Sequence, residues 1–392
     1  MSEVKLTIVH LGRRGALGER RRVEAWRALA DGAAVTVSEL SLMTEHRRGL
    51  RVPGPSELIA AARRRSVLES LAWDQRGAAA HLRRESPDVV VFVGARAYHP
   101  RLHGIARREV LDFVDRMSVA YADRSEVVRE RRRRFGFRVL SWSHRGFESR
   151  IGSGPARRVA AGRRDADALV ATWLPIPLHP VSRSSVAAPD HDLIFFGTLA
   201  YPPNIAAVRR LGRVWPALLA RRPGLSMLLA GATPTDEVRG LAADHGWDLI
   251  EGFQDVGQAC ARARVAVVPL DHATGIQIKV LEAAAAGLPQ VVSPPALRGL
   301  DPGFPALVVE NDAELVEGVL RLLGDEGMRR SLAEAACRHV HERYSVERWQ
   351  PVVAALLGVE LREPGVLTAR AAPPAPAAPR FGLARQPGAR VD

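Results

Sequence analysis

An alternation that runs through the chain twice constrains its fold more than any other feature: short β-branched runs, each followed by a longer stretch of helical periodicity. In the first half the runs are VKLTIVHL (residues 4–11), AVTVSEL (34–40), DVVVFVG (88–94), EVLDFVD (109–115) and DALVAT (167–172). Helical patterns are predicted over residues 19–31, 56–85, 117–134 and 144–164. Strands apolar on both faces must be covered on both, which a parallel sheet between two helical layers provides. The segment WLPIPLHPVSRSSVAAPD (173–190) is rich in Pro and Ser and lacks periodicity, as a linker should. Alternation then restarts with DLIFFGTL (192–199), LSMLLAGA (225–232), DLIEGF (248–253), VAVVPL (265–270), QVVSPP (290–295) and ALVVEN (306–311). Helical patterns follow at 312–324, 325–343 and 346–357. The expected fold class is α/β, with two Rossmann-like, doubly wound parallel-sheet domains. A length of 392 residues suits two cores rather than one. The expected units are 1–180, a linker at 181–191, a second domain at 192–345, a helix at 346–358 and a Pro/Ala-rich, disordered tail at 359–392.

Composition narrows the function. Of 56 basic residues, 54 are Arg; only Lys5 and Lys279 are lysine. Residues 1–180 hold 34 Lys+Arg against 20 Asp+Glu, whereas 181–392 hold 22 against 23, so the first half carries the whole formal excess of +13. Such a field attracts an anionic acceptor or a membrane surface. No interleaved aromatics or reader motif accompany it, so nucleic acid is not an expected partner. Arg-rich runs such as the one ending at Arg134 also read as solvated helix faces. Cys260 and Cys337 have neither disulfide nor metal-ligand spacing and read as buried thiols. The 12 histidines form no ligand pattern, so no metal is expected. No apolar run is long enough to span a bilayer, and the amino terminus reads as a strand, which predicts a cytoplasmic protein, at most peripheral to the inner membrane face.

The chemistry concentrates in residues 273–289. Strand VAVVPL ends in the loop DHATG, which feeds the helix IQIKVLEAAAA before Gly287 and Pro289 stop it. A helix amino terminus presents free N–H groups and the positive end of its dipole, and Gly275 lets backbone approach a ligand, so a diphosphate fits there. In an open parallel sheet ligands bind beyond the strands' carboxyl ends, where this loop lies. Lys279 and Glu282, three apart, share a helix face as phosphate cation and acceptor, or as a plain surface ion pair.

ATGIQIKVLEAAAAGLPQVV resembles the signature helix of family 4 glycosyltransferases, glycosyl transferases group 1 type, which have the GT-B fold. FFGTLAYPPNIAAVRRL resembles the opening strand and loop of their second domain, and LIEGFQDV the loop that receives the nucleobase. The resemblance implies a nucleotide-sugar domain facing, across a cleft, an acceptor-side first domain, with helix 346–358 returning to the latter. It implies that Glu282 accepts from the ribose hydroxyls. Gly275 and Ile276 would offer N–H groups to the diphosphate, with Thr274, Gln277 and Lys279 beside them. Phe253 and Gln254 would line the base pocket, and Gly197 with Thr198 would face the phosphates or sugar. Structural roles for Phe253 as core, Gly197 as turn and Thr198 as cap stand beside these.

The chain departs from the pattern at two places. Thr274 stands eight residues before Glu282, where many relatives carry a first Glu that touches the sugar. The first domain has VLDFVDRMS where relatives carry a His, so Asp115 becomes the candidate to orient the acceptor or take its proton; capping the next helix is its other reading. Gly15 and Gly18, after the first strand, are candidates for a phosphate or acceptor loop. Asp115, Lys279 and Glu282 are thus the catalytic candidates. The expected activity is transfer from a nucleotide-diphosphate sugar, retaining and without metal or other cofactor. A noncatalytic binding protein and a nucleotide-sugar 2-epimerase are the alternatives.

Overall fold

In the computed structural model, the structure describes residues 3–12, 17–45, 66–128, 130–151, 157–178, 189–253, 255–273 and 275–361. Of the tail expected to be disordered at 359–392, residues 362–392 lie outside them, as does most of the expected linker, whereas Leu361 is held in an antiparallel bridge to Ala33.

The first sheet contains β1 (Val4–His10), β2 (Val35–Ser41), β3 (Val89–Val93), β4 (Arg108–Asp112), β5 (Arg157–Ala160) and β6 (Thr172–Trp173), all parallel, in the order β2-β1-β3-β4-β5-β6. All five residues of β3 are buried, the pattern its unbroken VVVFV run demands of a central strand. Helices α1 (Leu17–Asp31), α2 (Leu42–Glu45), α3 (Gln75–Glu85), α4 (Met117–Val127), α5 (Arg131–Arg150) and α6 (Arg163–Ala168) connect and cover it.

The second sheet contains β7 (His191–Phe196), β8 (Met227–Gly231), β9 (Asp248–Glu251), β10 (Ala263–Val268), β11 (Gln290–Val292) and β12 (Leu307–Val308), again all parallel, in the order β12-β11-β10-β7-β8-β9. Its helices are α7 (Pro202–Arg221), α8 (Asp236–His245), α9 (Val256–Ala261), α10 (Ile278–Ala285), α11 (Pro294–Leu297), α12 (Asp312–Gly324) and α13 (Glu326–Tyr344). Two parallel sheets with helices make the fold α/β, as the double alternation predicts.

The last helix, α14 (Val346–Leu357), lies against α1 of the first sheet. Arg108 Nη1 donates to the carbonyls of Leu357 (3.0 Å) and Gly358 (2.9 Å), and Arg157 donates to those of Ala355 and Leu356. Guanidinium groups on the final carbonyls satisfy acceptors that a helix end leaves open and complement its negative pole. Trp349 meets Trp173 edge-to-face at 5.1 Å, and Trp173 meets Tyr344 at 5.9 Å, so three large rings seat this helix beside the end of the first sheet.

Several expected elements change. DALVAT is not one strand: α6 occupies Arg163–Ala168 and only Thr172–Trp173 pair. The helix expected at 144–164 is really the end of α5 followed by β5, whose RRVA sequence hides a strand because only Val159 and Ala160 are buried. The helix expected at 117–134 breaks between α4 and α5, and that at 56–85 is described only as a 3₁₀ turn at Leu68–Ala72 followed by α3, capped by Asp74. Cys260 is buried, with its thiol pushed up to about 12 by burial, but Cys337 is only half-buried on α13.

A buried ion pair ties α1 to β4. Arg22 and Asp112 are both fully buried, with Nε 2.5 Å from Oδ2. The same oxygen accepts from Trp26 Nε1 at 2.6 Å, and Arg22 Nη1 donates to the Pro175 carbonyl at 3.0 Å. Asp112 Oδ1 accepts the N–H of Val114 at 2.9 Å, fixing the turn that leaves β4.

Candidate functional site

The site forms at the carboxyl ends of the two sheets, beginning with the loop between β10 and α10. Gly275 there has φ +65°, a left-handed conformation that glycine adopts without penalty. A Cβ on it would collide with the Asp115 carboxylate, and one on Gly299 would collide with the Gly275 carbonyl. The loop is therefore packed closely from both sides, by the Asp115 carboxylate on one and by the Gly299 backbone on the other. The Gln277 side chain makes no capping bond at the start of α10, and a helix amino terminus offers backbone N–H groups of the kind an anion requires.

Lys279 and Glu282 do not pair with each other. Lys279 Nζ donates to Asn204 Oδ1 at 2.6 Å and stands 4.4 Å from the centre of the Phe195 ring. Asn204 is fixed in turn by donating to the Thr198 carbonyl at 2.8 Å. A Cβ on Gly197, which has φ +143°, would lie 3.0 Å from Nζ, so glycine admits the ammonium to the end of β7. Burial pushes Lys279 down to about 7, with Glu282 partly opposing, and among the described residues it has no ion-pair partner. Glu282 instead pairs with Arg21 of α1, Oε1 to Nη1 3.1 Å. Burial raises its carboxyl above the usual range, against the pull of Arg21.

Asp115 comes from the first sheet. It follows Val114, whose φ of +59° is rare for a β-branched residue. That conformation is held by Asp112 and by Ala161 N–H donating to the Val114 carbonyl at 3.0 Å. Backbone strain of this kind persists where surrounding bonds over-determine it, and here it aims a carboxylate at Gly275. Burial first, then neighbouring Asp165, raises Asp115 to about 6.

The remaining candidates are placed as follows. Ile276 packs with Ala25, Ala161 and Ile176 of the first half, making an apolar contact at the base of the cleft. Gln277 precedes α10, and its carbonyl accepts from Val280 at 2.9 Å. Phe253, just past β9, is half-buried and edge-on to Phe196 at 6.1 Å. Gly18 is not in a loop: it sits exposed in the first turn of α1. Gly15, Gln254 and Thr274 lie outside the described residues. Sequence reading missed Arg21, concealed in an Arg run, and Asn204, whose signal was a lone amide in the first turn of α7. It also missed Arg96, which reaches toward Glu19 (3.7 Å) and contributes positive field at Asp115. A broad hollow lined by Arg264, Arg329, Arg330, Arg338 and His341 contains none of these residues.

Two parallel sheets meeting at their carboxyl ends define the GT-B architecture of glycosyltransferases. Solved structures share it: HepE of Anabaena in complex with UDP and glucose (12% identity, TM-score 0.59, covering 91% of this chain and 100% of that one) and sucrose-phosphate synthase of Thermosynechococcus elongatus (15%, 0.61, 90% and 98%). TarM is similar at 11% identity and TM-score 0.54, over 71% of this chain, which spans 57% of TarM.

More particularly, residues 190–325, which include Gly197, Lys279 and Glu282, match the family described as glycosyl transferases group 1. A stretch of 130 residues is 32% identical to an exopolysaccharide phosphotransferase of Streptomyces coelicolor; it makes up 30% of this chain and 14% of that protein's length.

Proposed function

We propose that the protein is a glycosyltransferase that takes a sugar from a nucleotide diphosphate on the second domain and delivers it to an acceptor held by the first. The observation that carries this is the convergence of the α10 amino terminus, Lys279 and Glu282 with Asp115 from the opposite sheet. In this reading Glu282 exchanges Arg21 for the ribose hydroxyls, and the diphosphate rests on the amides around Gly275. The bond from the anomeric carbon to the diphosphate oxygen breaks, and the electron pair leaves with the phosphate. The helix amino terminus and protonated Lys279 stabilise that charge with no metal required in the step. The acceptor oxygen bonds to the anomeric carbon, and its proton passes to Asp115, which is ionised above about pH 6. Because Asp115 abuts the Gly275 loop, the acceptor enters on the leaving group's face, which favours retention of configuration.

HepE binds UDP and glucose, so UDP-sugars are the first donors to test. Thermal shift against UDP-, GDP- and dTDP-sugars is expected to single out one base, since a ligand at a hundredfold its Kd adds about 2.7 kcal/mol to stability. Release of the nucleoside diphosphate on adding acceptor then tests transfer. Binding without release across acceptors of lipid, glycan and small-molecule type would replace the enzyme by a noncatalytic binding protein.

Lys279 supplies a separate prediction. An ammonium that burial holds near 7 is mostly neutral at about pH 8, and a neighbouring diphosphate raises its pKa again. UDP binding there is expected to take up close to one proton, so affinity falls as pH rises above about 7. Calorimetry in buffers of different ionisation enthalpy reads this directly. Equal heats in both buffers, or an unchanged difference in Lys279→Met, would remove Lys279 from the phosphate site.

A further inference from the structure

The outer face of α5 carries a regular stripe that the transfer reaction does not use. Arg131, Phe135, Arg138, Trp142 and Arg145 succeed one another at spacings of four and three, so they form a single row along the helix. All five are exposed, Phe135 at 70% and Trp142 at 62%. The opposite face, with Ser141, His144, Phe147 and Glu148, is buried against α4 and its surroundings. Exposed Val119 on α4 adds a further apolar side chain on the helix paired with α5. Large aromatic residues left in water cost free energy, and two of them in register with arginines point to a partner that is both apolar and anionic.

Charge on the helix is one-sided. Its twenty residues contain seven Arg and one acidic residue, Glu148. That Glu is turned inward, accepting from Ser118 N–H at 2.9 Å and from the Ser118 hydroxyl, and lying 3.5 Å from Arg116. Among the described residues, Arg131, Arg138 and Arg145 have no acidic partner.

We propose that this face docks on an anionic phospholipid bilayer, with Phe135 and Trp142 entering the headgroup boundary and the three stripe arginines engaging lipid phosphates. The two rings are seven residues apart, about 10 Å along the axis, so both reach one plane when the helix lies flat. Aromatic side chains with cationic neighbours suit the interface between headgroup and acyl chain. The helix also ties the surface to the reaction site, because Glu148 binds the first turn of α4, immediately after Asp115 and Arg116. Docking there holds the acceptor side of the cleft close to the bilayer. The inference goes beyond the transfer reading and is independent of the nucleotide site.

Cosedimentation of the full chain with phosphatidylcholine vesicles containing about 30% phosphatidylglycerol tests it, against vesicles of phosphatidylcholine alone. Binding is expected only to the anionic vesicles and to weaken with salt. Arg131→Gln, Arg138→Gln and Arg145→Gln together are expected to lower the partition about 100-fold, at about fivefold per arginine. Phe135→Ser with Trp142→Ser is expected to lower it at least tenfold while leaving net charge and UDP affinity unchanged. No binding by the unaltered protein, or full binding by the Phe135→Ser/Trp142→Ser variant, would overturn the proposal. So would binding to heparin that the aromatic replacements leave intact together with vesicle binding, since the face would then be a general polyanion surface.

Discussion

Replacing Glu282 by alanine is expected to weaken UDP binding about 10²–10⁴-fold, because two hydrogen bonds to an ionised acceptor contribute about 1.5–3 kcal/mol each. The melting temperature is expected to hold. Glu282 is mostly enclosed, and burial raises its pKa, so the folded state favours its neutral form and pays for ionising it as pH rises through the carboxylate range. Removing the group removes that cost, and its partner Arg21 is exposed enough to hydrate. Arg21→Ala separates the two partners: if Arg21 only occupies Glu282 before nucleotide arrives, its loss leaves UDP affinity equal or tighter. Calorimetry that finds Glu282→Ala binding UDP normally would remove that residue from the nucleotide site.

The second large effect concerns stability. Asp112→Ala is expected to destabilise the first domain by about 3–5 kcal/mol, because it strands the fully buried Arg22 guanidinium without its counter-charge. Trp26 Nε1 and the Val114 amide lose their acceptor in the same stroke. Chemical denaturation followed by tryptophan fluorescence would check it, and a loss below about 1 kcal/mol would mean that water reaches Arg22. Turnover is expected to fall further than stability alone explains, since Asp112 also holds the turn that presents Asp115.

How much of this was legible beforehand depended on whether the determining contact was local. Runs such as VVVFV and MLLAG declare buried strands by themselves, and the Gly275 loop with its following helix declares a candidate anion site through backbone geometry. β5 was invisible because a four-residue strand with two arginines has almost no pattern of its own; its neighbours β4 and β6 create it. Arg21 was invisible for a related reason. One arginine in a run of similar residues acquires meaning only when the second sheet brings Glu282 opposite it. The left-handed Val114 had no sequence signal, since a β-branched residue predicts the opposite backbone. Asp115 was legible as a candidate, but the strain that positions it was not.

The seating of α14 on the first sheet has a consequence for how the protein is made. The carbonyl groups engaged by Arg108 and Arg157, and the ring that closes on Trp173, are translated only after every strand of the second sheet has left the ribosome. Chains usually settle domain by domain from the amino terminus during synthesis. Here the half that emerges first keeps an apolar flank of α1 uncovered until the final helix arrives. Chaperone demand should therefore peak late in translation, and a ribosome stalled between the two halves would hold a nascent chain prone to aggregate.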